Sequence, residues 1–307
     1  MSSNLNASKT RARTGGRPPV AIELMPEGVL AAALPGRGES AVYAFASLAA
    51  DALIPGIDEP NLRAPQVVAE AIKSVLADVT PRTRHITLVL PDTAVRVFVL
   101  DFDSLPQKAA DVVPVLRFRL RKMVPFEVEK AGVSYQVLTE DKTECRVLIA
   151  VLPGPILEEY EAVVRAAGFE PGAVLPSSLS ALAALETSEP ALTACLSGVS
   201  LTTSITNGQD LLLYRTLDLP TDPAQRLAEV QRDIAVAAAY YEDKLATQPR
   251  RLYYGGVGVA EDFARWARLA DAELKVVDLA PRPTTGAATP LGNLSLAGIT
   301  GALAGAA

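Results

Sequence analysis

The chain has 307 residues, room for about two domains, and its 49% hydrophobic and 21% charged content excludes wholesale disorder. A net charge of -6 argues against a nucleic-acid binder, because phosphate contacts need a basic face. The first segment, Met1 to Arg17, is polar and basic (Lys9, Arg11, Arg13, Arg17) without the apolar stretch of a secretory signal. It reads as a flexible solvated tail in preference to a contact with an acidic membrane surface.

Pro19 to Leu24, Val29 to Leu34 and Ala41 to Phe45 read as three short strands punctuated by Gly28 and Pro35-Gly36. Pro65 opens an amphipathic helix with Val67, Val68, Ala71, Ile72 and Val75 on one side. His85 to Leu90 alternates as a strand, Pro91-Asp92 turns, and Ala94 to Asp101 forms the next strand. His85 is the sole histidine, so a multi-histidine metal site is excluded and a Ser-His-Asp triad would have to use it; an edge-of-strand role is the plainer reading.

Gln107 to Met123 reads as a helix carrying Arg117, Arg119, Arg121 and Lys122, with Pro114 blurring its start. A solvated face paired with neighbouring carboxylates accounts for these cations; the alternative is contact with an acidic partner or anionic lipid. Val133 to Leu138 and Arg146 to Leu152 are strands, and Pro155 starts a helix that Gly168 ends. Leu192 to Leu196 and Leu201 to Thr206 are strands, Asn207-Gly208 is a hairpin turn, and Asp210 to Leu217 returns. Asp222-Pro223 caps a long helix through Leu245, and the strand Arg251 to Tyr254 runs into Gly255-Gly256-Val257-Gly258. A helix around Phe263, Trp266 and Leu269, a strand at Leu274 to Val277 and a final helix from about Asn293 complete the order. Cys145 and Cys195 lie far apart in apolar runs without CxxC spacing, which suggests buried reduced thiols and neither zinc nor redox chemistry. The apolar run Leu294 to Ala307 is shorter than the roughly 20 residues of a membrane span.

The order strand-strand-strand-helix-strand-helix therefore occurs twice, with additional strands and a helix inside the first copy. A mixed α/β chain with an internal duplication follows. This duplicated order resembles the actin, Hsp70 and sugar-kinase superfamily. The runs VLRFRLRKMVPFEVEKAGVSYQVL (Val115 to Leu138), VLIAVLPGPILEEYEAVVRAAGFEP (Val147 to Pro171) and AAAYYEDKLATQPRRLYYGGVG (Ala237 to Gly258) resemble the PilM family of type IV pilus assembly proteins. The resemblance covers residues 18 to 307 and implies an actin-like, ribonuclease H-like duplicated fold. Its first half would be 18–190, with an inserted subdomain at about 86–152, and its second half 191–307, the final helix packing back on the first.

In that superfamily two phosphate loops and an adenosine loop surround a nucleotide. The resemblance places Glu23 at the first loop's acidic position, Met25 at its glycine, Leu30 near its lysine, and Gly28 within the loop. Met25 obstructs the close backbone approach that glycine allows, Pro26 has no N–H to donate, and Glu27 adds negative charge. The second loop maps to Leu196 through Thr203. Gly198, Ser200 and Thr202 remain as nucleotide-site remnants, while Leu196 replaces the acidic residue. Gly255, Gly256 and Gly258 match the adenosine loop, although such glycines also serve ordinary turns. ATP and Mg²⁺ are accordingly disfavoured by Met25, Pro26 and Leu196. No catalytic or metal-binding residue is assigned, and little or no hydrolysis is expected.

The resemblance implies a cytoplasmic adaptor, held at the inner membrane through the cytosolic tail of a PilN-like protein. The docking region is expected within Ile86 to Leu152. It also allows contact with the pilus motor ATPase and self-association. The competing readings are a nucleotide-gated switch, the cytoplasmic domain of a type II secretion L-type protein, which normally continues into a membrane helix, and more remotely a sugar or acetate kinase. A relative of FtsA would carry intact phosphate loops and a basic amphipathic anchor, which Leu294 to Ala307 does not resemble.

Overall fold

The computed structural model describes residues 16–36, 39–141, 143–269, 274–280, 294–304 and 306. The chain opens with β1 (Val20–Met25), β2 (Gly28–Ala33) and β3 (Val42–Ser47), followed by α1 (Pro65–Val79) and β4 (His85–Leu90). Next come β5 (Arg96–Phe102), α2 (Ala109–Leu120), β6 (Gly132–Glu140) and β7 (Cys145–Leu152), then α3 (Gly154–Ala166), β8 (Glu170–Pro176) and the short α4 (Ser177–Ala181). The second half contains β9 (Ala191–Leu196), β10 (Ser200–Asn207), β11 (Asp210–Asp218), α5 (Pro223–Leu245), β12 (Arg251–Tyr254), α6 (Ala260–Trp266), β13 (Lys275–Asp278) and α7 (Ala297–Ala304).

Two five-stranded sheets have the orders β3-β2-β1-β4-β8 and β11-β10-β9-β12-β13. In each, the first three strands form an antiparallel meander and the last two join in parallel. The same wiring thus occurs twice, and each copy holds one strand more than the repeating pattern of the sequence suggests. In the first copy the extra strand is β8, whose period-2 pattern Pro171, Gly172 and Pro176 interrupt. α4 was likewise absent from the sequence pattern, being a single short turn after Pro176.

The third sheet, β5-β7-β6, is antiparallel throughout and is inserted between β4 and α3. Because β4 pairs with β1 and β8 in the first sheet, the inserted unit runs from Arg96 to Leu152 and excludes the strand that begins at His85. Arg17, assigned to the flexible tail by its polarity, is instead held: it bridges to Ala306 and donates from Nη1 to the Gly301 carbonyl at 3.3 Å. Residues 1–15 and Asn293, the expected start of the last helix, lie outside the described residues.

Apolar periodicity explains the packing. On α1, Val68, Ile72, Val75, Leu76 and Val79 share a buried face and pack with α3 on one side of the first sheet. The opposite side of that sheet is covered by α7, through Leu296, Ile299, Ala302 and Leu303 against Ala21, Leu30, Ala32 and Val89. α5 and α6 cover the outer side of the second sheet. Asp222 caps α5 by accepting from the Gln225 N–H at 2.9 Å. α4 and the start of α7 lie between the two five-stranded sheets, where Ala181, Ala297, Cys195 and Leu279 meet. Cys145 and Cys195 are buried free thiols. No helix among the described residues is long and apolar enough to cross a membrane.

Candidate functional site

The carboxyl ends of β1, β4, β9 and β12 converge on one cleft between the two halves, the place where open α/β sheets bind ligands. The β1–β2 hairpin contributes Glu23 through Glu27, the end of β4 contributes Pro91 to Thr93, and the β9–β10 turn contributes Cys195 through Val199. Gly255 and Val257 follow β12, Ser177 and Ser178 come from α4, and Leu294, Ser295 and Gly298 come from the α7 segment. All three loops marked out in the sequence therefore meet. The cavity they leave holds about 80 Å³, well below the roughly 300 Å³ at which small-molecule sites begin.

Charge sharpens the picture. Glu23, Glu27 and Asp92 line the cavity, and no lysine or arginine does so among the described residues. Glu23 is buried, accepts from the Ser177 hydroxyl through Oε1, and leaves Oε2 without a hydrogen-bond partner. Loss of water raises its carboxyl to about 7; the Ser177 bond offsets this in part and the nearby Asp92 charge adds to it. Asp92 is also pushed up by desolvation, against the pull of the Ser178 hydroxyl and the Ser178 N–H, the latter at 3.0 Å. Glu27 reaches across from the first loop, its Oε1 3.6 Å from where a Cβ on Gly198 would stand. A polyanion would thus meet three acidic side chains and, among the described lining residues, no cation.

The second loop uses its own donors. Ser197 Oγ accepts from the Val199 N–H at 3.2 Å and from the Ser200 N–H at 3.0 Å, while the Ser197 N–H donates to the Ser200 carbonyl at 2.9 Å. Arg226 on α5, the cation near this loop, donates to the Ser197 carbonyl at 2.9 Å. These are the groups a phosphate cradle would present, and here they close the turn on itself.

The predicted site residues divide accordingly. Glu23, Gly198 and Gly255 line the cleft. Gly28 is the first residue of β2, where a Cβ would collide with the Ala46 carbonyl and the Phe45 ring, so its smallness serves the β2–β3 contact. Ser200 is buried with its hydroxyl 2.9 Å from that of Ser197, and Thr202 is buried 2.9 Å from the Thr216 hydroxyl across the hairpin. At Gly255 a Cβ would approach the Cys195 sulfur at 3.0 Å and the Ala297 methyl at 3.4 Å; at Gly256 it would strike the Tyr254 hydroxyl. Gly258 adopts φ +76°, the turn into α6. Burial raises the Cys195 thiol to about 12, so it stays protonated.

Asp92, Ser177, Ser178 and Gly298 belong to the site and were missed. Pro91-Asp92 reads as an ordinary turn, and the serines follow a strand that the pattern did not reveal. Of the basic cluster, Arg117 is spent on the Val128 and Ala131 carbonyls and Arg121 on Glu129 at 2.6 Å.

Neither a protein-family model nor a curated protein matches this sequence. Solved structures do. A chain of a PilM-PilN type IV pilus biogenesis complex is 16% identical, with 93% of this chain and 98% of that one covered and a TM-score of 0.72. The cytoplasmic domain of EpsL, an inner-membrane component of the type II secretion system of Vibrio cholerae, is 12% identical over 88% and 90%, with a TM-score of 0.50. A Bacteroides thetaiotaomicron protein of actin-like ATPase fold and unknown function is 10% identical over 84% and 90%, with a TM-score of 0.45. The likeness to the first two, together with the twice-repeated strand order, shows the actin-like fold.

Proposed function

We propose that this chain is a nucleotide-independent adaptor of a type IV pilus inner-membrane assembly, docking the cytosolic tail of a PilN-like membrane protein. The observation that carries the first part is the cleft. It is small, lined by Glu23, Glu27 and Asp92, and its second-loop N–H groups are already bonded to Ser197. Binding a nucleotide triphosphate there would require breaking that turn and seating its phosphates beside the acidic Glu23, Glu27 and Asp92 without a lysine or arginine among the described lining residues. Hydrolysis is not expected, and the protein acts by binding.

The adaptor part rests on shape. The fold likeness is closer to the PilM-PilN complex, at TM-score 0.72, than to the type II secretion domain at 0.50, which favours the pilus reading. We place the docking region within Ile86 to Leu152, where β6 is an edge strand of the third sheet among the described residues. An extended tail is held at such an edge by backbone pairing and a few apolar anchors. Contacts with the motor ATPase or between copies are compatible with this role and are not needed for it.

Calorimetric titration with MgATP, with and without a synthetic PilN-like tail peptide, tests both parts. The expected result is peptide binding with no heat from ATP at hundreds of micromolar. Tight ATP binding that alters peptide affinity would instead identify a nucleotide-gated switch.

A further inference from the structure

The groups that turn a polyanion away from the cleft suit a ligand of the opposite charge. Glu23 is 6% exposed, with Oε1 held by the Ser177 hydroxyl and Oε2 without a hydrogen-bond partner. Both oxygens lie where a side chain at position 298 would start, 2.6 and 2.9 Å from a Cβ placed on Gly298, so that glycine leaves the carboxyl its room. The Ile299 N–H at the start of α7 favours the ionised form without meeting Oε2 in hydrogen-bond geometry. Leu30 and Val89, beside Glu23 on β2 and β4, and Ser177 on α4 carry no charge. Asp92 is the charged group that acts on Glu23, and its charge is of the same sign. A buried carboxylate oxygen with neither a donor nor a counter-charge is costly, and a cation in the cavity would offset that cost.

The walls say which kind of cation. Leu24, Pro26, Pro91 and Leu294 line the cavity, and Val199 and Val257 stand at its mouth, 43% and 51% exposed. Glu27 is exposed beside them, where it attracts positive charge toward the opening. At about 30 Å³ for a water-sized group, a cavity of about 80 Å³ takes the end of a short unbranched chain and no ring system. Among the described residues no three His, Cys, Asp or Glu side chains group as a metal site requires. An ammonium head on methylenes needs no such ring of ligands. It donates three N–H bonds while its chain lies along apolar walls.

We propose that the cleft binds a primary alkylammonium group, the end of a lysine side chain or of a free diamine, with its nitrogen at Glu23 Oε2 and its methylenes between Pro26, Pro91 and Leu294. Asp92, whose oxygens already accept from Ser178, adds charge at longer range. This inference rests on the nucleotide-independent reading of the cleft and not on the adaptor role.

The test is calorimetric titration of the full chain with butylamine, diaminobutane and Nα-acetyl-lysine methylamide, beside butanol as a neutral match. Millimolar binding of the amines at pH 8 is expected, and none of butanol. Affinity should be about tenfold weaker at pH 6, where Glu23, held at about 7, is mostly protonated. Glu23→Gln should lower the affinity by roughly tenfold or more and remove that pH dependence. An unchanged or raised melting temperature establishes that the variant is folded, and the pH and butanol comparisons need no variant. A tighter lysine amide points to a partner's side chain and a tighter diamine to a free polyamine; either supports the site. Absence of heat from every amine overturns the proposal, as does binding that survives Glu23→Gln or displacement of the amine by Mg²⁺. Heat from MgATP overturns the nucleotide-independent reading instead, so the two failures are distinguishable.

Discussion

Glu23 sits on β1 at the floor of the cleft, with water excluded and one carboxylate oxygen unpartnered. Its carboxyl titrates near 7 in the folded chain against an ordinary value of 4.5. Below pH 4.5 both folded and unfolded chains hold the proton, and Glu23 costs nothing. As pH rises from there, the unfolded chain releases its proton while the folded chain keeps it, so stability falls until about pH 7 and then levels. The loss approaches about 3 kcal/mol at most, and the raised Asp92 acts in the same direction. Glu23→Gln should therefore flatten the stability profile between pH 5 and 7.5 and stabilise the protein on the alkaline side. Urea unfolding at a series of pH values checks this; an unchanged profile in the variant would mean that Glu23 does not titrate in this range.

Among the elements, the β9–β10 turn and the β1–β2 hairpin face each other across the cleft. Restoring glycine at the first loop does not reach the second, where Val199 and Ser200 remain bonded to Ser197 Oγ. Met25→Gly alone is expected to leave MgATP without measurable binding by calorimetry or thermal shift. A clear gain in that single variant would show that Met25, and not the closed turn, is the barrier. Much of this site was legible in the sequence. Met25, Pro26 and Leu196 are assigned to the two loops from sequence, and all three line the cleft. What remained hidden depends on tertiary partners. Ser200 and Thr202 read as surviving donors, but only the fold shows their hydroxyls beside Ser197 and Thr216. The glycines at 255 and 256 match a ligand loop by spacing, whereas Cys195, Ala297 and Tyr254 occupy the space they leave. The strands with clean alternation, such as β4, and the helices with clear stops, such as α3, were readable to within a residue or two. β8, with Pro171, Gly172 and Pro176 in its run, was not.

At the scale of the whole molecule, α7 joins what the sheets separate. It covers the inner face of the first sheet, presents Gly298 to Glu23, and places Ala297 beside Cys195 of the second sheet. Ser180 Oγ donates to the Gly298 carbonyl at 2.8 Å, and at Gly301 an added Cβ would overlap the Ser180 carbonyl. The α4–α7 contact is backbone on backbone, so Gly301→Val must push the helices apart. A loss of about 3 kcal/mol or more is expected, in the range of severe overpacking, and calorimetric melting would record it. A fall of less than a degree in the melting temperature would mean that α7 docks elsewhere.

The route of the chain through α7 also sets the order in which the protein can be made. Ala21, Leu30, Ala32 and Val89 are synthesised early, yet the residues that cover them lie beyond position 295, after the whole second half. A ribosome that has finished the first sheet therefore exposes one apolar side of it until the remaining segments emerge and return. Covering that side requires closing a loop longer than 200 residues, a non-local contact of the kind that slows folding and leaves apolar surface exposed meanwhile.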